Sequence, residues 1–472
     1  MEILHVTAEC YPVAKAGGLG DVAGALPKYM NASGHIAKVV MPMYRTKFLY
    51  VNDWDVVHKG YTNMDNWWFE FTVIKERHNK LGFDLYLLDI NGLLDREKVY
   101  GYDDDTERFT AFQIAVLDWL SAWEHLPQVV HVHDHHTALI PFMMKHCYRY
   151  WRLAKVPTVL TIHNAEYQGW MGWNKSNYLP EWDMWKWGIL DWNNTINPLA
   201  CGIRCAWKVT TVSPSYMHEL SSKSNGLEAL FDYEKGKCSG ILNGIDVGVW
   251  NPETDSYLSH HYTTATAEEG KAKNKMQLCE QFQLDFEKPL IVFIGRMVGE
   301  KGADLLPQSI RDAFYHIGRR MNFLVLGSGQ PEVEFGFEAI KSLSHYDYNV
   351  YLGYNESLSH VMYAGADFLM MPSRVEPCGL NQMYSMKYGT VPMVRRTGGL
   401  RDTVVDYGDK DGYGICFEQA SIGDITHAIW RAVEMYHEKS ILKKVRHRMM
   451  ELDFSWENSV QQYLDLYQSL QY

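Results

Sequence analysis

Short β-branched apolar runs, each closed by turn residues, recur through the first half of the chain at 3–8, 37–41, 83–88, 129–133, 158–162 and 208–212. Runs that stay apolar at consecutive positions predict strands buried on both faces, as in a parallel sheet. Between them the spacing turns helical, as at Val22, Ala25, Leu26 and Tyr29 before Gly34, so strands and helices alternate. A polar stretch at 253–275 holds apolar residues too sparsely for a core element, and a domain boundary is placed there. The alternation resumes at 290–294, 322–326, 349–352, 367–371 and 391–394, which predicts a second doubly wound sheet. The chain reads as an α/β protein with domains at 1–250 and 251–455. A C-terminal helix is placed at 456–472, with a return to the first domain left open.

Composition narrows the class of partner. A chain of 472 residues exceeds one ordinary hydrophobic core, and 46% hydrophobic with 22% charged residues fits a folded globular protein. The opening Glu2-Ile3-Leu4-His5-Val6 lacks a basic start, and no apolar run is long enough to span a bilayer, so a cytoplasmic location is expected. Eight scattered cysteines read as reduced thiols. The formal charge of -12 disfavours nucleic acid and anionic membrane, whereas a neutral polymer is compatible. The 16 Trp and 30 Tyr suit stacking on sugar rings as well as core filling.

Two segments share the pattern G-G-L-x-D: Gly17-Gly18-Leu19-Gly20-Asp21 and Gly398-Gly399-Leu400-Arg401-Asp402. Each opens a helix, where backbone N–H groups and the helix dipole favour a phosphate; ordinary tight-turn geometry is the alternative. Lys15 lies in the first loop. Residues 18–23 also fit a dinucleotide fingerprint, but the next strand ends at Arg45 without the acidic residue that holds a ribose hydroxyl. That decides against an NAD-dependent dehydrogenase; Arg45 could meet a ribose 2'-phosphate instead, so an NADP-dependent oxidoreductase is disfavoured rather than excluded.

The run His131-Val132-His133-Asp134-His135-His136 invites a metal reading. Strand alternation puts His131, His133 and His135 on one face and turns Asp134 away, so a polar strand end lining a cleft is preferred and no metal is expected. Asp103-Asp104-Asp105 reads as a solvated helix start. His163 and Asn164 follow an apolar run, at the carboxyl end of a strand, where open α/β sheets hold ligands. Glu376 sits past another buried strand in a turn with Pro377 and Gly379; a carboxylate there suits a helix start, sugar hydroxyls or developing positive charge. Arg296, after the strand at 290–294, and Lys301-Gly302 at a helix start suit a diphosphate.

As an ordered set these segments resemble the bacterial glycogen synthases and plant starch synthases. The matching motifs are Glu9-Cys10-Tyr11-Pro12 with Lys15 through Val22, His133-Asp134, Thr161-Ile162-His163-Asn164 with Tyr167-Gln168-Gly169, Val212 through Tyr216, and Leu242-Asn243-Gly244-Ile245-Asp246. Gly295-Arg296 with Lys301-Gly302 and Pro372-Ser373-Arg374 through Leu400 complete it.

The resemblance implies the GT-B fold, two doubly wound Rossmann-like domains facing an interdomain cleft. It implies transfer of glucose from ADP-glucose to an α-1,4-glucan with retention of configuration, by front-face departure and attack, without a metal or other cofactor. UDP-glucose is the alternative donor. Arg296 and Lys301 would neutralise the departing diphosphate, with Glu376 and His163 completing the catalytic set. Lys15, Gly17, Gly18, Asp21, Asn243, Cys378, Gly379, Leu380, Asn381, Gly398 and Gly399 would bind the donor, and Tyr354 would stack on its base. His133, Asp134, Asn164 and Tyr167 are assigned to acceptor or sugar.

Asn381 replaces a usual threonine, Glu300 a frequent glutamine and His135 a tryptophan. The first two are expected to bear on donor preference, the third on sugar or acceptor packing. The tryptophans at 170–192 form either a glucan platform or subdomain packing. A non-catalytic glucan-binding relative and a small-acceptor transferase are the remaining readings.

Overall fold

The computed structural model describes residues 1–471. They divide into two compact units: Met1–Asn243 with the segment from Trp456 onward, and Gly244–Ser455. Position 472, the last of the expected terminal helix, lies outside the described residues. The helix Trp456–Gln468 belongs to the first unit, where Trp456, Val460, Tyr463 and Leu464 join the core of Ile3, Val22, Leu26 and Met30.

The first unit is built on a nine-stranded sheet. Its strands are β1 (Glu2–Val6), β2 (Ile36–Pro42), β3 (Trp54–Met64), β4 (Trp67–Glu76), β5 (Asp84–Asp89), β6 (Val129–His133) and β7 (Thr158–Ile162), followed after a small hairpin of β8 (Asp191–Trp192) and β9 (Thr195–Ile196) by β10 (Lys208–Thr211) and β11 (Cys238–Gly240). The order β11-β10-β7-β6-β1-β2-β5 is parallel throughout, and β4 and β3 extend it antiparallel. The β3–β4 hairpin escaped the sequence reading because it sits at the edge. Phe69, Phe71 and Val73 are buried while Trp68 and Glu70 are exposed, a period of two rather than a continuous apolar run.

The second unit carries β12 (Leu290–Met297), β13 (Asn322–Gly329), β14 (Tyr348–Leu352), β15 (Phe368–Met371), β16 (Val391–Arg395) and β17 (Ile415–Phe417), parallel in the order β14-β13-β12-β15-β16-β17. A crossover reverses the strand order at β12 and β15, so the loops at their carboxyl ends open the crevice in which such sheets hold ligands.

The polar stretch at 253–275 requires correction. It runs into the helix Ala267–Phe282, which buries Ala267, Leu278 and Cys279 together with Lys271, Asn274 and Lys275. Lys271 Nζ donates to Ala364 O at 2.9 Å, Tyr388 O at 3.1 Å and Thr390 Oγ1 at 2.8 Å. Lys275 pairs with the buried Asp367 at 2.9 Å. Lysine stems are apolar, and the terminal nitrogen of Lys271 meets acceptors left over at two helix ends and just before a strand. Lys271→Met would keep the stem but leave Ala364 O without its close donor and Thr390 Oγ1 without the donor it accepts, while Tyr388 O keeps the Tyr262 hydroxyl at 2.7 Å. The expected loss is about 3 kcal/mol, read as earlier urea unfolding of the second unit.

Candidate active site

In the second unit, Lys301 and Glu376 come from different loops and meet. Gly302 has φ of 68°, and a Cβ there would lie 2.1 Å from the Pro372 carbonyl oxygen. Only glycine lets the loop after β12 close on the loop after β15. That approach sets Lys301 Nζ at 2.7 and 2.8 Å from the two Glu376 oxygens, and Ser373 Oγ donates to Glu376 Oε2 at 2.8 Å. The carboxylate side chain is 7% exposed and the lysine 24%, so the ammonium side reaches solvent. Two of its three protons serve Glu376 and the third remains for another acceptor.

Arg296 lies near the end of β12, its side chain 60% exposed and 3.9 Å from Glu300. Glu300 accepts the Arg374 backbone N–H through its own carbonyl at 2.9 Å. Asn381 Nδ2 donates to Ile294 O at 2.7 Å, so the substituted residue ties the helix Asn381–Lys387 to the end of β12. Gln382 Nε2 donates to the carbonyls of Cys378 and Gly379 and to Thr403 Oγ1, which fixes the turn ahead of Leu380. No local pattern signals that role of Gln382, because its partner Thr403 is distant along the chain.

The two glycine pairs differ. Gly398 has φ of 47°, and a Cβ on Gly398 or Gly399 would lie 2.0 Å from the carbonyl oxygens of Glu376 and Cys378 respectively. The Gly399 N–H donates to Glu376 O at 3.1 Å. The expectation that Gly399 offers its N–H to a diphosphate is therefore corrected: close packing of two turns requires the glycine, and its amide is engaged inside the protein. At Gly17 and Gly18 an added Cβ would meet nothing within 4 Å, so the space above that turn is open. Beneath it Glu9 Oε2 accepts the N–H of Ala16 at 2.6 Å and of Gly17 at 2.9 Å, while Tyr100 OH donates to Glu9 Oε1 at 2.6 Å. Gly17's amide is thus also engaged. Lys15 Nζ lies 2.7 Å from Asp21, both side chains partly exposed.

Tyr354 is 82% exposed, its hydroxyl donating to Glu356. Glu356 lies 3.4 Å from His360, whose Nδ1 is 2.6 Å from Asp255. Burial opposes charge on His360, yet the hydrogen bond with Asp255 and the neighbouring Glu356 carboxylate raise it above the ordinary imidazole value. Asn243 is buried, and its Oδ1 has no partner among the described residues.

In the first unit the parallel register sets His5 of β1 beside His131 of β6. His5 Nδ1 lies 3.1 Å from His133 Nε2, and His133 Nδ1 lies 3.1 Å from His163 Nε2. His131 lies 2.6 Å from both Tyr467 OH and Thr161 Oγ1. Burial pushes His5 and His163 down to about 3 and His131 and His133 well below the usual imidazole range, with neighbouring imidazoles adding to the last two. All four are neutral at neutral pH. His133 is fully buried with both nitrogens engaged, so its assignment to acceptor or sugar contact is corrected. His5, His131 and His133 stand close enough for a metal, but among the described residues five of their six ring nitrogens have partners and His5 Nε2 has none.

Asp134 Oδ1 accepts the N–H of His163 at 2.7 Å and of Asn164 at 3.4 Å, and Asn164 Oδ1 accepts the Glu166 N–H. Burial raises the Asp134 carboxyl to about 7 against those two bonds. Both side chains therefore shape the loop leading to Tyr167, which is 58% exposed. The expected face of alternating histidines ends at His133. His135 begins a helical turn, meets the His136 ring at a 36° tilt with centroids 3.7 Å apart, and packs against Gly169. In the tryptophan-rich stretch Trp182 is buried, Trp173 and Trp192 donate their indole N–H to Asp191 and Gly226, and Trp170, Trp185 and Trp187 are exposed. Arg45, considered above for a ribose phosphate, pairs instead with Asp89 at 3.2 Å.

Two alternating α/β units, with a lysine–carboxylate pair at the β12/β15 crevice and an open glycine turn after β1, agree with the comparisons. The family model for the starch synthase catalytic domain matches residues 2–233, and that for glycosyl transferases group 1 matches 276–451. The chain is 53% identical over 467 residues to a glycogen synthase of Flavobacterium johnsoniae, covering 99% of this chain and 98% of the relative. It is 37% identical to a glycogen synthase of Streptococcus pneumoniae over the full length of both. The catalytic domain of starch synthase IV from Arabidopsis thaliana, solved with ADP and acarbose, superposes with a TM-score of 0.89 at 31% identity over 99% of each chain. A sucrose-phosphate synthase from Thermosynechococcus elongatus shares the fold at a TM-score of 0.64 and 15% identity, covering 100% of this chain and 99% of that one.

The protein is a retaining glycosyltransferase of the GT-B class. The chain belongs to the glycogen and starch synthase family, and its activity is that of a glycogen or starch synthase. No helix among the described residues is long and apolar enough to cross a membrane.

Proposed function

We propose that the donor is ADP-glucose and that its glucose passes to the non-reducing end of an α-1,4-glucan. The observation that carries the residue roles is the Lys301–Glu376 pair, with the lysine's third proton directed away from the carboxylate. That proton and the exposed guanidinium of Arg296 stabilise charge building on the departing diphosphate. Glu376 holds the ammonium in place and supplies negative charge where the sugar becomes positive. Asn243 Oδ1, a buried acceptor without a partner among the described residues, takes a donor hydroxyl, and the exposed ring of Tyr354 stacks on the base.

The open space above Gly17 and Gly18 admits the donor's phosphates or the acceptor, with Lys15 beside it. No residue is assigned as a covalent nucleophile, and no metal or other cofactor enters the reading. The ADP and acarbose bound by the Arabidopsis enzyme support a nucleoside diphosphate and an oligosaccharide as the two ligand classes.

A donor panel with glycogen as acceptor tests the reading. ADP-glucose is expected to be turned over with release of ADP and lengthening of outer chains, and UDP-glucose far more slowly. Comparable or faster turnover of UDP-glucose would overturn the donor assignment, and absence of turnover with both would overturn the function.

A further inference from the structure

We propose that His133 and His5 are positioning residues: the hydrogen-bonded chain His5–His133–His163 fixes the ring proton of His163 on Nδ1, so that this nitrogen meets the donor's sugar as an N–H donor. The sugar contact rests on the function proposed above; the position of the proton does not.

The argument is one of counting protons. Each link in the chain joins two ring nitrogens 3.1 Å apart, and a neutral imidazole has one N–H and one lone pair. The three tautomers are therefore coupled, and two arrangements exist. In the first, His5 Nδ1–H donates to His133 Nε2, His133 Nδ1–H donates to His163 Nε2, and His163 has its proton on Nδ1. In the second every proton moves to the other ring nitrogen, and His163 has it on Nε2.

The far end of the chain decides between them. His5 Nε2 is buried without a partner among the described residues, and burial leaves His5 neutral. The first arrangement leaves an unmatched lone pair there; the second buries an unmatched N–H, the rarer defect in native proteins. His131 sets no direction, because its partners Tyr467 and Thr161 are hydroxyls that turn to suit either tautomer. Among the described residues His163 Nδ1 has no hydrogen-bond partner, and Asp134 holds the backbone at His163 by accepting its N–H.

The test reads the proton directly. Ligand-free protein with 15N-labelled histidine is examined by long-range 1H–15N correlation, His163 being assigned from a His163→Gln sample. The Nδ1–H tautomer is expected in the wild type, opposite to the Nε2–H form that a free histidine side chain prefers. His133→Leu is expected to return His163 toward Nε2–H and to lower kcat on the order of tenfold. His133→Gln, whose amide accepts from His5 and donates to His163, is expected to restore both. A wild-type His163 protonated on Nε2, or a tautomer indifferent to His133→Leu, would overturn the proposal. The wild-type spectrum needs no turnover, so failure of the glucan synthase reading would show in the donor panel and leave this result standing.

Discussion

Replacing Glu376 with alanine is expected to lower kcat by a factor on the order of 10^2 to 10^3 while leaving thermal unfolding almost unchanged. The two outcomes differ because the Lys301–Glu376 pair is unevenly buried, 24% exposed on the lysine and 7% on the carboxylate. Without Glu376, the ammonium turns to water at little cost, but nothing holds it toward the diphosphate and the negative charge beside the sugar is gone. Lys301→Ala is expected to lower kcat similarly and also to destabilise the second unit by about 3 kcal/mol. It leaves a buried carboxylate with Ser373 Oγ as its remaining side-chain partner. Steady-state kinetics and differential scanning fluorimetry on both variants read the asymmetry. Near-wild-type turnover of Glu376→Ala would remove that residue from the mechanism.

Acidification is expected to loosen the first unit before the second. His5, His131, His133 and His163 are neutral in the fold because burial disfavours their charged forms, whereas in the unfolded chain they take up protons near the ordinary value of about 6.5. Below that pH the unfolded state binds more protons, so stability falls as pH drops toward about 3, the value to which His5 and His163 are held. Each neutral histidine contributes a slope of more than about 1 kcal/mol per pH unit across the window.

Asp134 acts in the opposite sense. Its carboxyl is raised to about 7, so its contribution is full in acid and lost as pH rises through 7; one carboxyl offsets only part of four imidazoles. In the second unit His360 is held above its ordinary value beside Asp255, and its contribution persists in acid. Hydrogen exchange at pH 7, 6 and 5 should show β1, β6 and β7 losing protection well before β12 and β13. Equal loss in the two sheets would contradict the neutral histidine chain.

Much of the architecture was legible along the chain. The apolar runs at 129–133 and 158–162 coincide with β6 and β7, and that at 391–394 lies within β16. A strand buried on both faces must be apolar at consecutive positions, which leaves a local signature. The β3–β4 hairpin was missed because an edge hairpin alternates instead. The helix Ala267–Phe282 was missed because its buried lysines are matched by acceptors as distant in sequence as Tyr388 and Asp367. A polar residue carries no mark of whether a partner awaits it.

The site divides along the same line. Sequence alone determined which chemistry-bearing residues follow strand ends, because an apolar run that stops at Thr161-Ile162 or Met370-Met371 leaves His163 and Glu376 where ligands gather. Only the tertiary structure decided what those residues do for one another. Gly302 and Pro372 are 70 positions apart, and their close approach makes Lys301 and Glu376 a pair. Parallel register brings His5, more than a hundred residues away, into line with His131, which turns His133 from a surface contact into a buried link. The two G-G-L-x-D turns are alike in letters, yet one is open above its glycines and the other is closed by packing. The physical reason is common to all three: spacing fixes a residue's place within its own element, whereas hydrogen bonds, burial and protonation depend on the groups that other elements bring against it.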